Sequence, residues 1–128
     1  MLAARSVAYT DPHAGGTSGI FLVGLFERLG IADAVRAKAL PCVNGDDVVD
    51  KVLAGDAELG STFLSEIVPV KGVTAVGALL APIENVTAYA AAIMTGSANA
   101  DAAARFIAML TAPAQREVWV SLGFDPGS

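Results

Sequence analysis

The feature that most constrains this chain is an alternation of short apolar segments with longer helical ones, with glycine, proline or asparagine at the junctions. Residues 6–10 are apolar and stop at Asp11-Pro12, which predicts a buried strand. Residues 20–29 are apolar over most of a helical circumference. A strand at 40–43 and a helix at 48–54 repeat the order. Alternating strands and helices predict an α/β domain of three layers with a mostly parallel sheet.

The later sequence continues this alternation with weaker signals. Residues 57–61 predict a third strand, and the apolar stretch 86–94 predicts another. An alanine-rich helix is predicted at 100–110, and Pro113 suits the first position of a last helix. The size fits one domain over residues 1–128.

The composition favours a packed protein and excludes several functions. The chain is 54% hydrophobic and only 16% charged, which is too apolar for a disordered segment. Its net charge of -5 argues against nucleic acid as a partner but not against a small anion held by backbone N–H groups. The single cysteine, Cys42, excludes an internal disulfide. Residues 1–5 show no signal peptide, so we expect either a cytoplasmic protein or a chain beginning within a longer precursor.

The loop at 11–19 is the most informative candidate site. It joins a strand to a helix at the carboxyl end of the strand, where open α/β sheets bind ligands. Its glycines allow close backbone approach, and the free N–H groups of the helix start attract an anion. We therefore predict ligand binding by Gly16, Thr17, Ser18 and Gly19, with the two hydroxyls also capping the helix. The alternative is a glycine-rich turn with an ordinary hydroxyl cap.

Two further segments end a strand and begin a helix. In residues 44–48, Asp46 or Asp47 is better explained as a helix cap than as a catalytic carboxylate. In residues 60–65, serine and threonine hydroxyls face the same cleft or else satisfy their own backbone.

Neither a metal site nor a catalytic site is predicted. His13 is the only histidine, and no cysteine cluster accompanies it, so the usual transition-metal ligands are missing. No acid is evidently placed to orient His13 beside Ser18, so a hydrolase triad is not supported. We expect a solvated loop histidine, no catalytic residue and no cofactor.

Taken in order, these segments resemble the later half of molybdate-type solute-binding proteins of ABC transporters, which have the type II periplasmic-binding fold. Single motifs such as Val-Ala-Tyr-Thr-Asp-Pro and Ala-Gly-Asp-Ala-Glu-Leu-Gly are weak, and their order and spacing carry the resemblance. The matching residues are 7–12, 17–19, 26–31, 47–49, 54–60, 98–106, 110–115 and 122–124.

The resemblance implies one lobe of a two-lobed binding protein. Residues 1–84 would form the second-lobe core and residues 85–128 a returning C-terminal segment. The function implied is binding of a small oxyanion or carboxylate for the membrane component of an ABC transporter, with the parent protein in the periplasm. The implied ligand contacts are the N–H of Ser18, the helix entry at Val48, and Phe63 after the third strand. We predict that Thr62, from the hydroxyl-bearing segment 60–65, closes the same wall.

Departures from the family pattern leave other functions open. Phe63 stands where the molybdate binders carry a tyrosine, which leaves room for a carboxylate instead of molybdate. One branch of the family resembles aconitate isomerase, so a tricarboxylic acid isomerase with His13 as its acid or base is an alternative.

The first-lobe segment of the family has no counterpart here, which bears on assembly. Phe106 and Trp119, at helical positions, are most simply interpreted as core residues. Without the first lobe, the helices that carry them and the strand predicted at 86–94 would need another surface to pack against. We expect a homodimer, and exchange of the C-terminal segment between two copies is one way to form it. A truncated, oligomer-forming domain without a ligand is the remaining alternative.

Overall fold

The computed structural model describes residues 1–127, and strands alternate with helices through its first half. In chain order the elements are β1 (Val7–Thr10), α1 (Thr17–Arg28), α2 (Ala32–Arg36), β2 (Ala39–Cys42), α3 (Gly45–Leu53), β3 (Leu59–Ser61), α4 (Leu64–Ile67), α5 (Ala100–Leu110) and α6 (Arg116–Ser121). Single 3-10 turns at Pro12–Ala14 and Pro113–Gln115 precede α1 and α6. None of these helices is long and apolar enough to cross a membrane.

The three strands form a parallel sheet in the order β2-β1-β3. In the central strand, Val7 is in register with Ala39 on one side and Leu59 on the other. All four residues of β1 are buried, as expected for a parallel strand covered on both faces. The predicted α/β class with a parallel sheet is therefore confirmed, and the arrangement agrees with one lobe of the fold implied by the resemblance.

Side chains on the two faces of the sheet enter two separate core clusters. One cluster, packed under α1 and α2, contains Val7, Tyr9, Leu22, Phe26 and Val35. The other, packed under α3, contains Ala8, Cys42, Val48 and Ala57. Alternate residues of β1 point to opposite faces, so a short strand supplies both clusters. The sheet lies between two helical layers, as predicted.

Residues 68–99 contain no helix and no strand. The strand predicted at 86–94 is therefore wrong. A strand requires a hydrogen-bonded neighbour, and the only sheet in residues 1–127 has its three strands elsewhere. Val86 and Met94 are 84% and 82% exposed, so the apolar pattern of this stretch leads to no burial.

Helix α3 starts earlier than predicted and has a different cap. It begins at Gly45, and the Asn44 side chain accepts a hydrogen bond from the Asp47 N–H at 2.9 Å. Neither Asp46 nor Asp47 is the N-cap, which corrects the expectation. The Asp47 carboxylate instead accepts from the Val43 N–H at 3.0 Å, which fastens the preceding chain to the first helical turn.

The C-terminal helices bury less than predicted. Phe106 is exposed on α5, so its assignment to the core is wrong. Trp119 is half-buried, with its ring 5.3 Å from that of Phe124 and its Nε1 donating to the Leu110 carbonyl at 2.8 Å. The aromatic residues of this end form a local cluster rather than an extension of the sheet core.

Candidate functional site

A cavity of about 500 Å³ opens beside the carboxyl ends of β1 and β3. From β1, α1 leads to β2 across one face of the sheet, whereas α3 leads from β2 to β3 across the other. The direction in which successive strands are added to the sheet thus reverses, and the switch point lies between β1 and β3, where open α/β sheets form ligand crevices. The volume also lies within the usual range of small-molecule sites. This cavity, called the cleft below, is the candidate site.

The cleft has an apolar wall, a row of hydroxyl groups and little charge. The apolar side chains include Phe21, Leu22, Phe63, Ile67, Leu79 and Phe124. The hydroxyl groups include those of Ser18, Ser61, Thr62 and Ser65. Asp125 carries the one side chain on the lining that is charged at neutral pH, and neither lysine nor arginine lines the cleft within residues 1–127.

The start of α1 forms one edge of the cleft. The N-cap is Gly16, which makes no side-chain cap, so the hydroxyl capping predicted for Thr17 and Ser18 is wrong. Ser18 lies inside the first helical turn, where its hydroxyl donates to Thr10 Oγ1 at 3.3 Å. A β-carbon on Gly19 would overlap the Thr10 carbonyl, so this glycine lets α1 approach β1 closely. The first N–H groups of α1 therefore have no side-chain cap. They lie beside the cleft, which Ser18 lines.

The loop after β3 forms the opposite edge, and Glu66 organises it. The Glu66 carboxylate accepts from the Thr62 hydroxyl and from the Phe63 N–H, the latter at 3.1 Å. The same carboxylate lies against Gly45 at the start of α3, where any β-carbon would overlap it. A carboxylate at a helix N-terminus is favoured by the helix dipole. The loop is consequently fixed to α3, and the proton of Thr62 already has an acceptor.

The structure brings only some of the predicted site residues together. Ser18, Thr62 and Phe63 line the same cleft although they are far apart in sequence. Val48 does not line it, because its side chain is buried in the core and its N–H donates to the Asn44 carbonyl at 3.3 Å. The other predicted residues that are absent from the lining are Gly16, Thr17 and Gly19.

An acid does accompany the lone histidine, contrary to the sequence analysis. Asp11 accepts a hydrogen bond from the His13 N–H at 2.8 Å, and the same oxygen lies 2.9 Å from His13 Nδ1. These hydrogen bonds, the backbone one first, lower the pKa of Asp11 below its usual value. The His13 ring is exposed and does not line the cleft, so the pair lies on the loop beside it. Aspartate side chains commonly accept from the backbone N–H two residues later in a turn, and Asp11-Pro12-His13 is a turn sequence of this kind.

Three other residues that shape the cleft were missed. Thr10 was read only as the end of a strand, Glu66 received no role, and Phe124 was treated as part of a family motif. Glu66 accepts from the Phe63 N–H as in a capping box, but phenylalanine cannot supply the reciprocal side-chain hydrogen bond, so the usual sequence signature was absent. Thr10 and Phe124 act through contacts distant in sequence, which no local pattern reveals.

Comparison with known proteins agrees with this architecture. A family model described as bacterial extracellular solute-binding protein matches residues 2–125. Aconitate isomerase from Pseudomonas sp is 30% identical over 124 residues, covering 96% of this chain and 45% of that protein. The chain thus spans less than half of that relative, and no solved structure matches it. Because the family match runs through the sheet, the cleft and the C-terminal helices, this chain belongs to the bacterial extracellular solute-binding protein family.

Proposed function

We propose that the cleft binds a small oxyanion or carboxylate and that the parent protein is the periplasmic solute-binding component of an ABC transporter. The observation that carries this proposal is the uncapped start of α1 beside the cleft. Its N–H groups and the positive end of its dipole attract an anion without any cationic side chain. The partners would be the small anion and the membrane component of the transporter.

A carboxylate fits the cleft better than molybdate. Phe63 contributes a ring without a hydroxyl, and the hydroxyl proton of Thr62 is directed to Glu66. The donors left on the lining are the backbone at Ser18 and uncharged side chains that include those of Ser61, Ser65 and Tyr89, and none of them is cationic. In this proposal Gly16, Thr17 and Gly19 shape the helix start, and Val48 supports the wall from the core.

The anion site is tested by calorimetric titration of the chain with small carboxylates, sulfate, phosphate and molybdate. Ser18→Pro removes one N–H at α1, and the fixed φ of proline suits an early helical position. Ser18→Ala is the matched control, because it loses the same hydroxyl contact with Thr10 but keeps the N–H. A hydrogen bond to a charged ligand is worth about 1.5–3 kcal/mol, so the proline variant should bind at least about tenfold more weakly than the alanine variant. Equal binding by two folded variants would place the anion elsewhere.

An isomerase is the second candidate function. Two observations favour it: one relative is named aconitate isomerase, and Asp11 holds His13 in a defined position beside the cleft. An acid–base role for the imidazole requires that it reach the ligand. Nuclear magnetic resonance of cis- and trans-aconitate incubated with the chain would detect interconversion. Activity that disappears in His13→Ala would favour the isomerase, and unchanged spectra would favour the binder.

A homodimer is proposed for this chain because its C-terminal part exposes many apolar side chains. Val86, Met94, Phe106 and Val120 are all more than half exposed, beyond the scattered apolar residues usual on monomers. A second copy would cover these side chains, with exchange of residues 85–127 as one route. Light scattering distinguishes the mass of two chains from that of one. A dimer without ligand binding would favour the oligomer-forming alternative.

A further inference from the structure

Within the proposed anion-binding function, on which this inference rests, we infer that the cleft selects monocarboxylates that carry an apolar arm. Inorganic oxyanions and polycarboxylates should bind more weakly. The inference follows from the size of the cleft, the chemistry of its walls and the distribution of charge around it.

The volume and the apolar wall call for a ligand larger than a tetrahedral oxyanion. Such an ion would occupy a small part of about 500 Å³ and would leave Phe21, Leu79 and Phe124 without a partner. An alkyl or aryl arm would cover these side chains and exclude water from them. Each buried methylene is expected to tighten binding by about fourfold.

The charge distribution provides for one carboxylate only. The starts of two helices reach the lining, α1 through Ser18 and α4 through Phe63. The Phe63 N–H already donates to the Glu66 carboxylate, so within residues 1–127 the positive end of α1 is the one left for an anion. Asp125 lies on the lining, and the Glu66 carboxylate is held behind Thr62. Because no lysine or arginine lines the part of the cleft formed by residues 1–127, a second carboxylate would find no cation there. It would meet uncharged donors such as Asn85 and Tyr89, the apolar wall or the negative charge of Asp125. Burying an unpaired charge is strongly unfavourable.

The positions of the two kinds of wall set the orientation of the ligand. The carboxylate would lie at Ser18, beside the strand ends, and the arm would extend along the apolar side chains towards Phe124. The Phe124 ring makes edge contacts with Tyr89 at 5.9 Å and Trp119 at 5.3 Å between centroids. Since Trp119 is the only tryptophan of the chain, its fluorescence should report filling of the cleft.

The experiment titrates the chain with acetate, butyrate, hexanoate and 3-phenylpropionate, and with molybdate, trans-aconitate and hexanamide as comparison compounds. Calorimetry gives the affinities, and the Trp119 emission gives an independent signal. We expect the affinity to rise with arm length by about fourfold per methylene. Hexanoate should bind at least about tenfold more tightly than trans-aconitate, molybdate or the neutral amide.

Two variants locate the arm and the charge, and the first has a matched control variant. Phe124→Ala should flatten the dependence on arm length, which would appear as a larger loss of affinity for hexanoate than for acetate. Phe106→Ala, an equal truncation on exposed α5, should leave the arm-length dependence as it is. Asp125→Asn should strengthen trans-aconitate binding severalfold more than hexanoate binding. The arm-length series in the unmodified chain tests the inference even if Phe124→Ala fails to fold.

The outcomes separate this inference from the proposed function. Tighter binding of molybdate or trans-aconitate than of hexanoate would overturn the inference and leave the anion-binding function standing. Equal binding of hexanamide and hexanoate would overturn the carboxylate part of both. If no compound in the panel binds to the folded chain, both the inference and the proposed function are wrong.

Discussion

Residues 1–67 and residues 68–127 are nearly equal in length, yet every buried residue belongs to the first group, between Val7 and Ala57. The first region folds a parallel sheet between two helical layers. The second consists of an extended stretch at 68–99 followed by α5 and α6, and most of its large apolar side chains are exposed. The cleft lies where the two regions meet.

An apolar pattern in the sequence predicts a helix or strand but does not determine whether that element is buried. Helices α1 and α5 both carry apolar side chains at helical spacing. Phe26 on α1 packs edge-on against Tyr9 of the sheet, with ring centroids 5.6 Å apart. Phe106 on α5 has no comparable layer facing it and is exposed. Burial therefore depends on whether the topology supplies a second surface.

The largest expected effect compares one aromatic truncation in each region. Phe26 is 3% exposed and Phe106 is 56% exposed. Phe26→Ala should lower the free energy of unfolding by about 3–5 kcal/mol, because it leaves a cavity in a packed core. At a protein concentration low enough for the chain to be a monomer, Phe106→Ala should change it by no more than about 0.5 kcal/mol, as exposed substitutions usually do. Urea denaturation followed by circular dichroism gives both values.

The comparison between regions fails if the two truncations cost the same. A cost at Phe106 that grows with protein concentration is what the proposed homodimer predicts, because this side chain would then be buried between two copies of the chain.

The second prediction concerns pH and the first region alone. Burial, reinforced by the charge of Asp47, raises the pKa of the Cys42 thiol from its ordinary 9.0 to about 11. Between these values the unfolded chain releases the thiol proton and the folded chain keeps it, so stability falls as pH rises. The full contribution is about 2–3 kcal/mol. Urea denaturation at pH 8.5 and 10.5 should show a steeper loss for the parent than for Cys42→Ala, and equal losses would contradict the shifted pKa.

The sequence predicted the first region well because its information is local. The loops between its strands and helices are short, so apolar periodicity and turn residues were enough to find β1, β2, α1 and α3. The cap of α3 was misplaced because several residues of the type that caps helices stand together between 44 and 47. The wrong strand at 86–94 has a different cause, since pairing depends on a neighbouring strand and not on the stretch itself.

The candidate site was predictable only in part. The strand-to-helix position of Ser18 follows from the alternation, Thr62 from the hydroxyl-bearing segment 60–65, and Phe63 from the resemblance. Their meeting in one cleft follows from the strand order β2-β1-β3, which local patterns do not show. Their binding roles stay predictions. The contact of Glu66 with Gly45, and the position of Phe124 in the cleft, depend on how separate elements pack.

The third prediction tests the close contact of α1 with β1. Gly19→Ala should cost about 1–3 kcal/mol, because the added methyl group would overlap the Thr10 carbonyl. Gly24→Ala is the matched control in the same helix, since a β-carbon there meets no atom within 4 Å. It should stabilise the chain by about 0.5–1 kcal/mol. Thermal unfolding of the two variants should therefore shift in opposite directions, and a shared direction would show that Gly19 is not a packing contact.

The smallest effect compares helix caps, one from each region. Asn44 caps α3, with its side chain accepting from the Asp47 N–H at 2.9 Å, whereas Asn99 at the start of α5 makes no side-chain cap. Asn44→Ala should therefore cost about 1 kcal/mol, within the range measured for lost caps. Asn99→Ala removes the same amide without removing a hydrogen bond to its helix, so its cost should stay within about 0.5 kcal/mol. Both variants are compared by urea denaturation at one protein concentration. Equal costs would mean that α5 is capped in solution as firmly as α3, and the contrast between the two regions would then be confined to their side-chain burial.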